Sequence, residues 1–554
     1  MRGTDERQER LARTVLAAAM LVSAASVIYL GRNFTFWIDE LYWLTFDGNL
    51  SPNSLLTPHF DHLIAIPRVV YHVLPGLFGT SYLPFRILDL VAVLTVGALV
   101  FGLIRRRLGP LAAIGPAVVL LFFGSAYDIV LSPLGIPFAF SIAFGLAALS
   151  AVENDTRRWD RAACVLLTLS ILSHTFGAIT AGGIAVYLLL DRERRGRVWV
   201  SAVPLALWLV WWLWARKFDQ HATDAANIAG APWFVLQSIG VSIQSLFGLW
   251  ARFGGGSSLY TAIATPAAGV LGAGWIVAVG LRLSRGAAGR WTIPYLAIAF
   301  TFWFGLALEA SDFRQPTTPR YLYFGLIMVL LTLAEAWRGT RLSRGATAVI
   351  LAVFALGLAG NVVRMVTESR DIEADARDIN AQLAVVSLST GGTDPNLPIN
   401  LLGRPASQRI LISPLSIAAF NARRETLGMP LDEIPAQTDE VREGADYVLA
   451  RLDGLAPVSA DGLDLPAERS CTEVDPDSTG RAQLTLQPGF TSLTVPADAQ
   501  ESAALEVGRF ADDPTVPIGK LGPGEEAVLG IPADASPQPW SASVDGPVRI
   551  CTFG

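Results

Sequence analysis

Apolar positions run in long stretches through the first two-thirds of the chain and then give way to short alternating segments. Eleven runs approach the roughly 17 to 25 residues that an α-helix needs to cross a bilayer. They lie at about 12–31, 85–104, 110–125, 131–151, 162–177, 178–190, 198–215, 262–281, 291–309, 320–337 and 346–364, and two of them are short. The polar positions between them are patterned as well. Every second loop collects arginine: Arg105 to Arg107; Arg157, Arg158 and Arg161; Arg192, Arg194, Arg195 and Arg197; Arg282, Arg285 and Arg290; Arg338, Arg341 and Arg344. Cytoplasmic loops carry that excess. The alternation is unbroken if residues 233–250, "WFVLQSIGVSIQSLFGLW", form an interfacial helix on the outer surface. The N-terminus is then cytoplasmic and everything after residue 364 extracytoplasmic. The first apolar run is too long for a cleavable signal, and no small-residue cleavage motif ends it.

This pattern divides the chain into a membrane domain, 1–364, and an extracytoplasmic C-terminal domain, 365–554. A linker helix, "ESRDIEADARDINAQLAVV", joins them. In the tail, "SQRILISPLSIAAFNARRE" and "DEIPAQTDEVREGADYVLARLD" mix a strand with helices, giving an α/β unit. From about 465 to 554, "QLTLQ", "TSLTVPA", "AALEVGRF", "EEAVLGIPA", "WSASV" and "VRICTF" alternate between turns rich in Pro and Gly, the spacing of a β-sandwich.

Composition agrees with the pattern. Of 554 residues, 52% are hydrophobic and only 16% charged, and the mean hydropathy is +0.44, which marks a polytopic α-helical membrane protein. A net charge of −6, without a basic face, argues against nucleic-acid binding. There is no P-loop and no cysteine zinc pattern, and Gly272-Ala273-Gly274 lies inside an apolar run and is no nucleotide fingerprint. Lys217 and Lys520 are the only lysines among 42 basic residues, the bias of a GC-rich bacterial genome, so the membrane is a bacterial plasma membrane. Cys471 and Cys551 bracket the sandwich, where an oxidising compartment favours a disulfide. Cys164 lies in an apolar run as a small core hydrophobe.

The longest outer loop before the tail, about 32–84, carries Asp39, Glu40, Asp47, His59, Asp61 and His62, with His72 further on. Three of the five histidines fall there. Carboxylates and imidazoles serve as bases and metal ligands. The alternative is a solvated acidic loop with Phe36, Trp37, Tyr42 and Trp43 as an interfacial belt.

Further features keep a structural alternative open. His174, Asp89 and Glu335 lie within or near apolar runs, where ionisable groups are costly and often functional. The run "WLVWWLWARK", 208–217, stacks on a sugar or, more simply, forms an aromatic belt above Arg216 and Lys217.

Asp39-Glu40, followed by His59 or His62, Leu77-Phe78-Gly79 and Phe85-Arg86, resembles the first outer loop of GT-C membrane glycosyltransferases, which include protein O-mannosyltransferases and lipid A aminoarabinose transferases. "DHLIAIPR" replaces that family's His-Pro-Pro. The late loop "EASDFRQPTTPRYLYFGLIMVLL", with Arg314, Arg320 and Tyr321, resembles the family's late outer loop. The resemblance implies a GT-C-like fold of about eleven transmembrane helices and an inverting transfer from a polyprenyl-phosphate sugar. The acceptor would be an envelope glycan, glycolipid or protein.

It also implies roles. Asp39 is the base, while Glu40, Asp128, His59, Asp61 and His62 support catalysis or hold the acceptor or a divalent metal, Mg or Mn. Arg320, Arg314 and Tyr321 bind the donor phosphate, where a guanidinium steadies the departing anion. By architectural analogy the tail binds carbohydrate. A lipid-linked glycan flippase and a non-catalytic envelope scaffold are the alternatives.

Overall fold

The computed structural model describes residues 2–45, 50–79, 81–218, 224–249, 258–311, 314–340, 343–388, 417–421, 431–460, 463, 465–466, 469–499, 501–534, 536 and 538–553. Asp47 and most of the segment 407–425 lie outside them. The chain packs as two compact units: Met1–Phe34 with Gly48–Asp371, and Thr35–Asp47 with Ile372–Gly554. The stretch bearing Asp39 and Glu40 therefore belongs to the same unit as the tail.

Helices follow the apolar runs. In chain order they are α1 (Arg2–Leu30), α2 (Asp39–Thr45), α3 (Pro52–Leu56), α4 (Ala65–Phe78), α5 (Leu83–Leu108), α6 (Pro110–Leu121), α7 (Tyr127–Val130), α8 (Ile136–Val152) and α9 (Arg157–Ser173). Then come α10 (Phe176–Leu190), α11 (Trp199–Ala215), α12 (Ala231–Ser245), α13 (Ser258–Ser284), α14 (Thr292–Leu308), α15 (Pro319–Ala336) and α16 (Arg344–Val386). The eleven runs map in order onto α1, α5, α6, α8, α9, α10, α11, α13, α14, α15 and α16. Pro at the first positions of α5, α6, α8 and α15 suits a helix start, where the missing N–H has no partner to lose.

Among the described residues, seven helices are long and apolar enough to cross a membrane. The number is eight if the bent pair Pro110–Leu121 and Gly124–Val130 forms one span. Phe176–Leu190 and Thr292–Leu308 are apolar but shorter. The sequence runs overstate length here because apolar residues continue through the turns that end these helices.

Two local features depart from the sequence reading. Residues 162–190 break at His174, whose backbone is extended, and not at 177/178. Gly177 permits the tight return, since a Cβ there would lie 2.3 Å from the Ile171 nitrogen. The stretch expected as an interfacial helix is α12, which packs into the bundle against α13, α14 and α15. Gly240 lets its backbone meet α13 closely, with a virtual Cβ 1.8 Å from the Ala268 carbonyl, the small-residue contact that membrane helices use in place of a hydrophobic drive.

At the arginine-rich end of the bundle a buried ionic cluster ties four helices. Arg107 of α5 bonds Glu335 of α15, donates to Glu153 after α8 at 2.6 Å and to Tyr295 of α14 at 3.0 Å, and caps its own helix at the Leu103 carbonyl, 2.6 Å. Nearby Arg194 and Arg197 pair with Asp155, and Arg197 with Asp160 of α9 at 2.9 Å. Burying Glu335 is tolerable because both carboxylate oxygens meet donors, Oε2 from Arg107 and Oε1 from Trp291 N and Arg338. At the opposite end of α1, the guanidinium of Arg86, from the Phe85-Arg86 pair, donates to the carbonyls of Val27 and Gly31. It thereby satisfies a helix terminus.

The second unit contains α2, the end of α16, α17 (Ile417–Asn421) and α18 (Asp439–Leu452), followed by strands. These are β1 (Val458–Ser459), β2 (Arg469–Val474), β3 (Arg481–Leu486), β4 (Gly489–Thr494), β5 (Ala503–Gly508), β6 (Val516–Leu521), β7 (Glu526–Ile531), β8 (Trp540–Asp545) and β9 (Val548–Phe553). They form antiparallel sheets of order β1-β7-β4-β9-β2 and β3-β8-β5-β6. Alternate residues such as Ala482, Leu484 and Leu486 are buried, as the two-residue period requires. β6 is an edge strand, which explains how it carries Pro517 and Gly519 and why no alternation marks it in the sequence. Cys471 and Cys551 stand opposite each other on β2 and β9 and are joined by a disulfide.

Helix α18 buries Val441, Ala445, Val448, Leu449 and Leu452, one helical stripe, against β5 and β6. Its Asp446 accepts the backbone N–H groups of Arg509, Phe510 and Ala511 at 2.9 to 3.0 Å. Burial nevertheless pushes the Asp446 carboxyl up to about 6, against the pull of those donors. Burial and then the charge of Asp534 push Asp453 up to about 7, with Arg509 pulling the other way.

Two outcomes follow from this packing. Arg107→Ala strands Glu335 without its main partner and should cost about 3–5 kcal/mol, read as a large fall in the thermal midpoint of the purified protein. A carboxyl raised in the folded state above its unfolded value near ~4 binds the extra proton when folded. The second unit should therefore lose stability as pH rises from ~4 through ~7. Urea pulse proteolysis at several pH values checks this, and Asp453→Asn should flatten the slope.

Candidate functional site

The helices that send their arginines to one end send a different set of groups to the other. Four segments of the first unit meet there: the turn 59–62, the short helix α7, the break between α9 and α10, and the loop 309–320.

The first segment is held by its backbone. His59 and His62 exchange both backbone hydrogen bonds at 3.0 Å, and Phe60 between them takes φ +51°. That left-handed conformation is disfavoured for an aromatic L-residue. Only Ile38, Phe60 and Asp155 adopt a positive φ among the described non-glycine residues. Ile38 directly precedes Asp39, so each candidate stretch of the long outer loop carries a strained residue. Such strain persists where the surroundings over-determine it, and it clusters at functional sites.

The segment leading into this turn is clamped twice. Arg68 of α4 donates to the carbonyls of Ser54 at 2.8 Å and of Thr57. Trp211 of α11 donates its indole N–H to the Leu56 carbonyl at 2.7 Å and joins a core of Leu63, Ala65, Ile171, Ala178 and Ala215. The aromatic run therefore divides its work. Trp211 faces inward, while Trp212 and Trp214 lie under Arg216 and Lys217 at 5.1 and 4.1 Å.

His62 Nδ1 lies 3.0 Å from Thr175 Oγ1, and its ring stands 4.2 Å from that of His174. Burial, then the charges of His174, Arg314, His59 and Arg320, hold the His62 imidazole well below its usual range. Arg314 sits between Glu309 at 2.5 Å and Asp61 at 3.6 Å, joining the late loop to the first. Arg320, at the start of α15, pairs with Asp128 of α7 at 3.9 Å and overlies the buried Tyr321 ring at 5.4 Å.

Asp128 owes its place to a built break in the bundle. Before α7, the Ser125 N–H donates to Asn361 Oδ1 at 3.0 Å and the Ser125 hydroxyl to the Ser245 carbonyl at 2.9 Å. The Asn361 amide in turn donates to the carbonyls of Ser245 and Leu246. An interrupted helix in hydrocarbon needs such internal partners.

The structure thus gathers His59, Asp61, His62, Asp128, Arg314, Arg320 and Tyr321 within the first unit. Asp39 and Glu40 belong to the second. There they open α2, Asp39 half-buried and Glu40 fully buried. His72 is exposed on α4. Among the described residues no three His, Cys, Asp or Glu side chains converge to hold a metal ion. In the cluster Asp61 pairs with Arg314 and Asp128 with Arg320.

Sequence reading left His174 unassigned and passed over Thr175, Asn361 and Arg68. The signal available was a histidine near the middle of 162–190, a stretch too long for one span and short for two.

Fold and site define a multi-pass α-helical membrane protein with a β-sandwich unit and a charged cluster at one bundle end. No family model matches the chain, and no curated protein matches it. Among solved structures it is similar to the archaeal oligosaccharyltransferase AglB from Archaeoglobus fulgidus, in complex with an inhibitory peptide and a dolichol-phosphate. The identity is 14% and the TM-score 0.41, over 69% of this chain and 58% of that one. It is also similar to ArnT from Cupriavidus metallidurans. The form bound to undecaprenyl phosphate gives TM-score 0.42 and 13% identity over 84% of this chain and 93% of that one. The apo form gives the same score and identity over 94% and 98%.

The Trp211 clamp has a direct readout. Trp211→Phe keeps an aromatic ring but removes the bond to Leu56, a loss of about 1–1.5 kcal/mol. Amide exchange in peptides covering 51–64 should quicken about tenfold, measured by mass spectrometry on the protein in detergent.

Proposed function

We propose that this protein is an integral membrane glycosyltransferase that moves a sugar from a polyprenyl-phosphate donor to an acceptor in the bacterial cell envelope. The observation that carries the reading is the convergence of Arg314, Arg320, Asp61 and Asp128, drawn from three distant loops, at the bundle end opposite the arginine-rich loops. That end is extracytoplasmic if arginine-rich loops face the cytoplasm. The Cys471–Cys551 disulfide supports an oxidising compartment for the tail, and a nucleotide sugar is not available there.

The reaction is a single displacement. The acceptor hydroxyl gives its proton to Asp39 while its oxygen bonds the anomeric carbon. The bond from that carbon to the phosphate oxygen breaks, and the electron pair leaves with the polyprenyl phosphate. One base and one cationic clamp suffice for this inverting course. Arg320 and Arg314 supply the clamp, with donors matched to phosphate oxygens. Their acidic partners hold the guanidiniums in place and keep the empty site from gathering excess positive charge.

Transfer of radiolabelled sugar from defined polyprenyl-phosphate donors tests the proposal. Asp39→Asn should lower turnover about 10²–10⁴-fold with donor binding retained. Arg320→Ala should weaken donor binding as well as turnover. Undiminished transfer by Asp39→Asn would remove it as the base, and no transfer from any donor by the parent would favour a flippase or a scaffold.

A further inference from the structure

His174 has no part in the reaction just described, yet its surroundings fix it closely. Its carbonyl accepts from the Ser141 hydroxyl at 3.2 Å, and Ser141 and Ser170 bond each other across α8 and α9. Its ring packs between Phe138 and Phe176, both at 4.5 Å, and lies on His62.

The tautomer follows from one bond. The backbone N–H of Phe176 donates to His174 Nδ1 at 3.4 Å, so Nδ1 carries a lone pair and the proton of the neutral ring is on Nε2. That Nε2 is buried, in a residue only 2% exposed, and has no hydrogen-bond partner among the described residues. A buried donor without an acceptor is costly, and each such group asks for an explanation. An apolar ring would pack among these aromatics without the penalty. The nearby cations select the missing acceptor: the His174 ring lies on His62, which follows Asp61 in the chain, and Asp61 is met by Arg314 at 3.6 Å. An anionic oxygen is the partner they favour.

We infer that His174 is a ligand-binding residue whose Nε2–H donates to a phosphoryl oxygen of the donor lipid, beside the arginine clamp. The inference rests on the polyprenyl-phosphate reading above. His62, tied through Nδ1 to Thr175, acts as a positioning residue that braces the His174 ring.

The test measures binding of undecaprenyl monophosphate to the purified full-length protein in detergent, alongside its thermal midpoint. His174→Phe keeps the aromatic packing and removes the buried donor. Removing the orphaned Nε2–H offsets the loss of the Phe176 N–H bond to Nδ1, so the midpoint should stay close to the parent's, while affinity falls about tenfold or more, the loss of one hydrogen bond to a charged group. His174→Gln, which keeps an N–H within reach, should bind within about threefold of the parent. Parent-like binding by His174→Phe would overturn the inference and leave the transferase reading standing. So would equal loss of binding in both variants with lowered midpoints, the mark of a structural role. Failure of the parent itself to bind the lipid would defeat the donor reading and this inference with it.

Discussion

Arg314, set between Glu309 and Asp61, is the interaction on which the candidate site depends. It joins segments of the chain about 250 residues apart at a place where the backbone is no longer helical. Hydrocarbon admits backbone only as helix or as segments whose polar groups are satisfied within the protein. Irregular and charged structure is therefore pressed toward the ends of the bundle, and this chain places two charged assemblies at opposite ends. One is the closed cluster around Arg107, whose groups are buried and satisfied by one another. The other, around Arg314 and Arg320, includes longer ion pairs and a buried imidazole donor that no group among the described residues meets. The first assembly closes on itself, whereas the second leaves a buried donor unmet among the described residues.

Much of the first unit was legible in the sequence, because the drive to match bilayer thickness writes itself as apolar runs. The order of the long helices and the alternating arginine loops can be read directly. The break at His174 cannot, because Thr175 and Phe176 prolong the apolar run through a turn that depends on Gly177 approaching Ile171 closely. Helix α12 reads as an interfacial element only because the arginine alternation is unbroken with it outside. Yet Ser238, Ser242 and Ser245 each bond a backbone carbonyl within their own helix and pack inward.

The tail shows the same division. Strands β3, β4, β5, β7, β8 and β9 announce themselves by alternation, while the edge strand β6 hides behind its proline and glycine. That Thr35–Asp47 joins the tail's unit is a long-range fact with no local signature. The strained φ of Ile38 and Phe60 is likewise invisible to composition or periodicity, since either residue reads as an ordinary hydrophobe. For the candidate site, residue types and loop positions were readable. The support given by Arg68, Trp211 and Asn361, each acting through backbone carbonyls or N–H groups, was not.

If these segments form one site for a polyprenyl phosphate, its head group lies within reach of all of them. Photolabelling tests it most directly, using a polyprenyl phosphate with a diazirine beside the phosphate, in native membranes, with the labelled peptides identified by mass spectrometry. Peptides containing residues 59–62, 174–176 and 314–321 should label saturably, and unlabelled polyprenyl phosphate should displace the label. Labelling confined to the arginine-rich end, or labelling that unlabelled lipid does not displace, would contradict it.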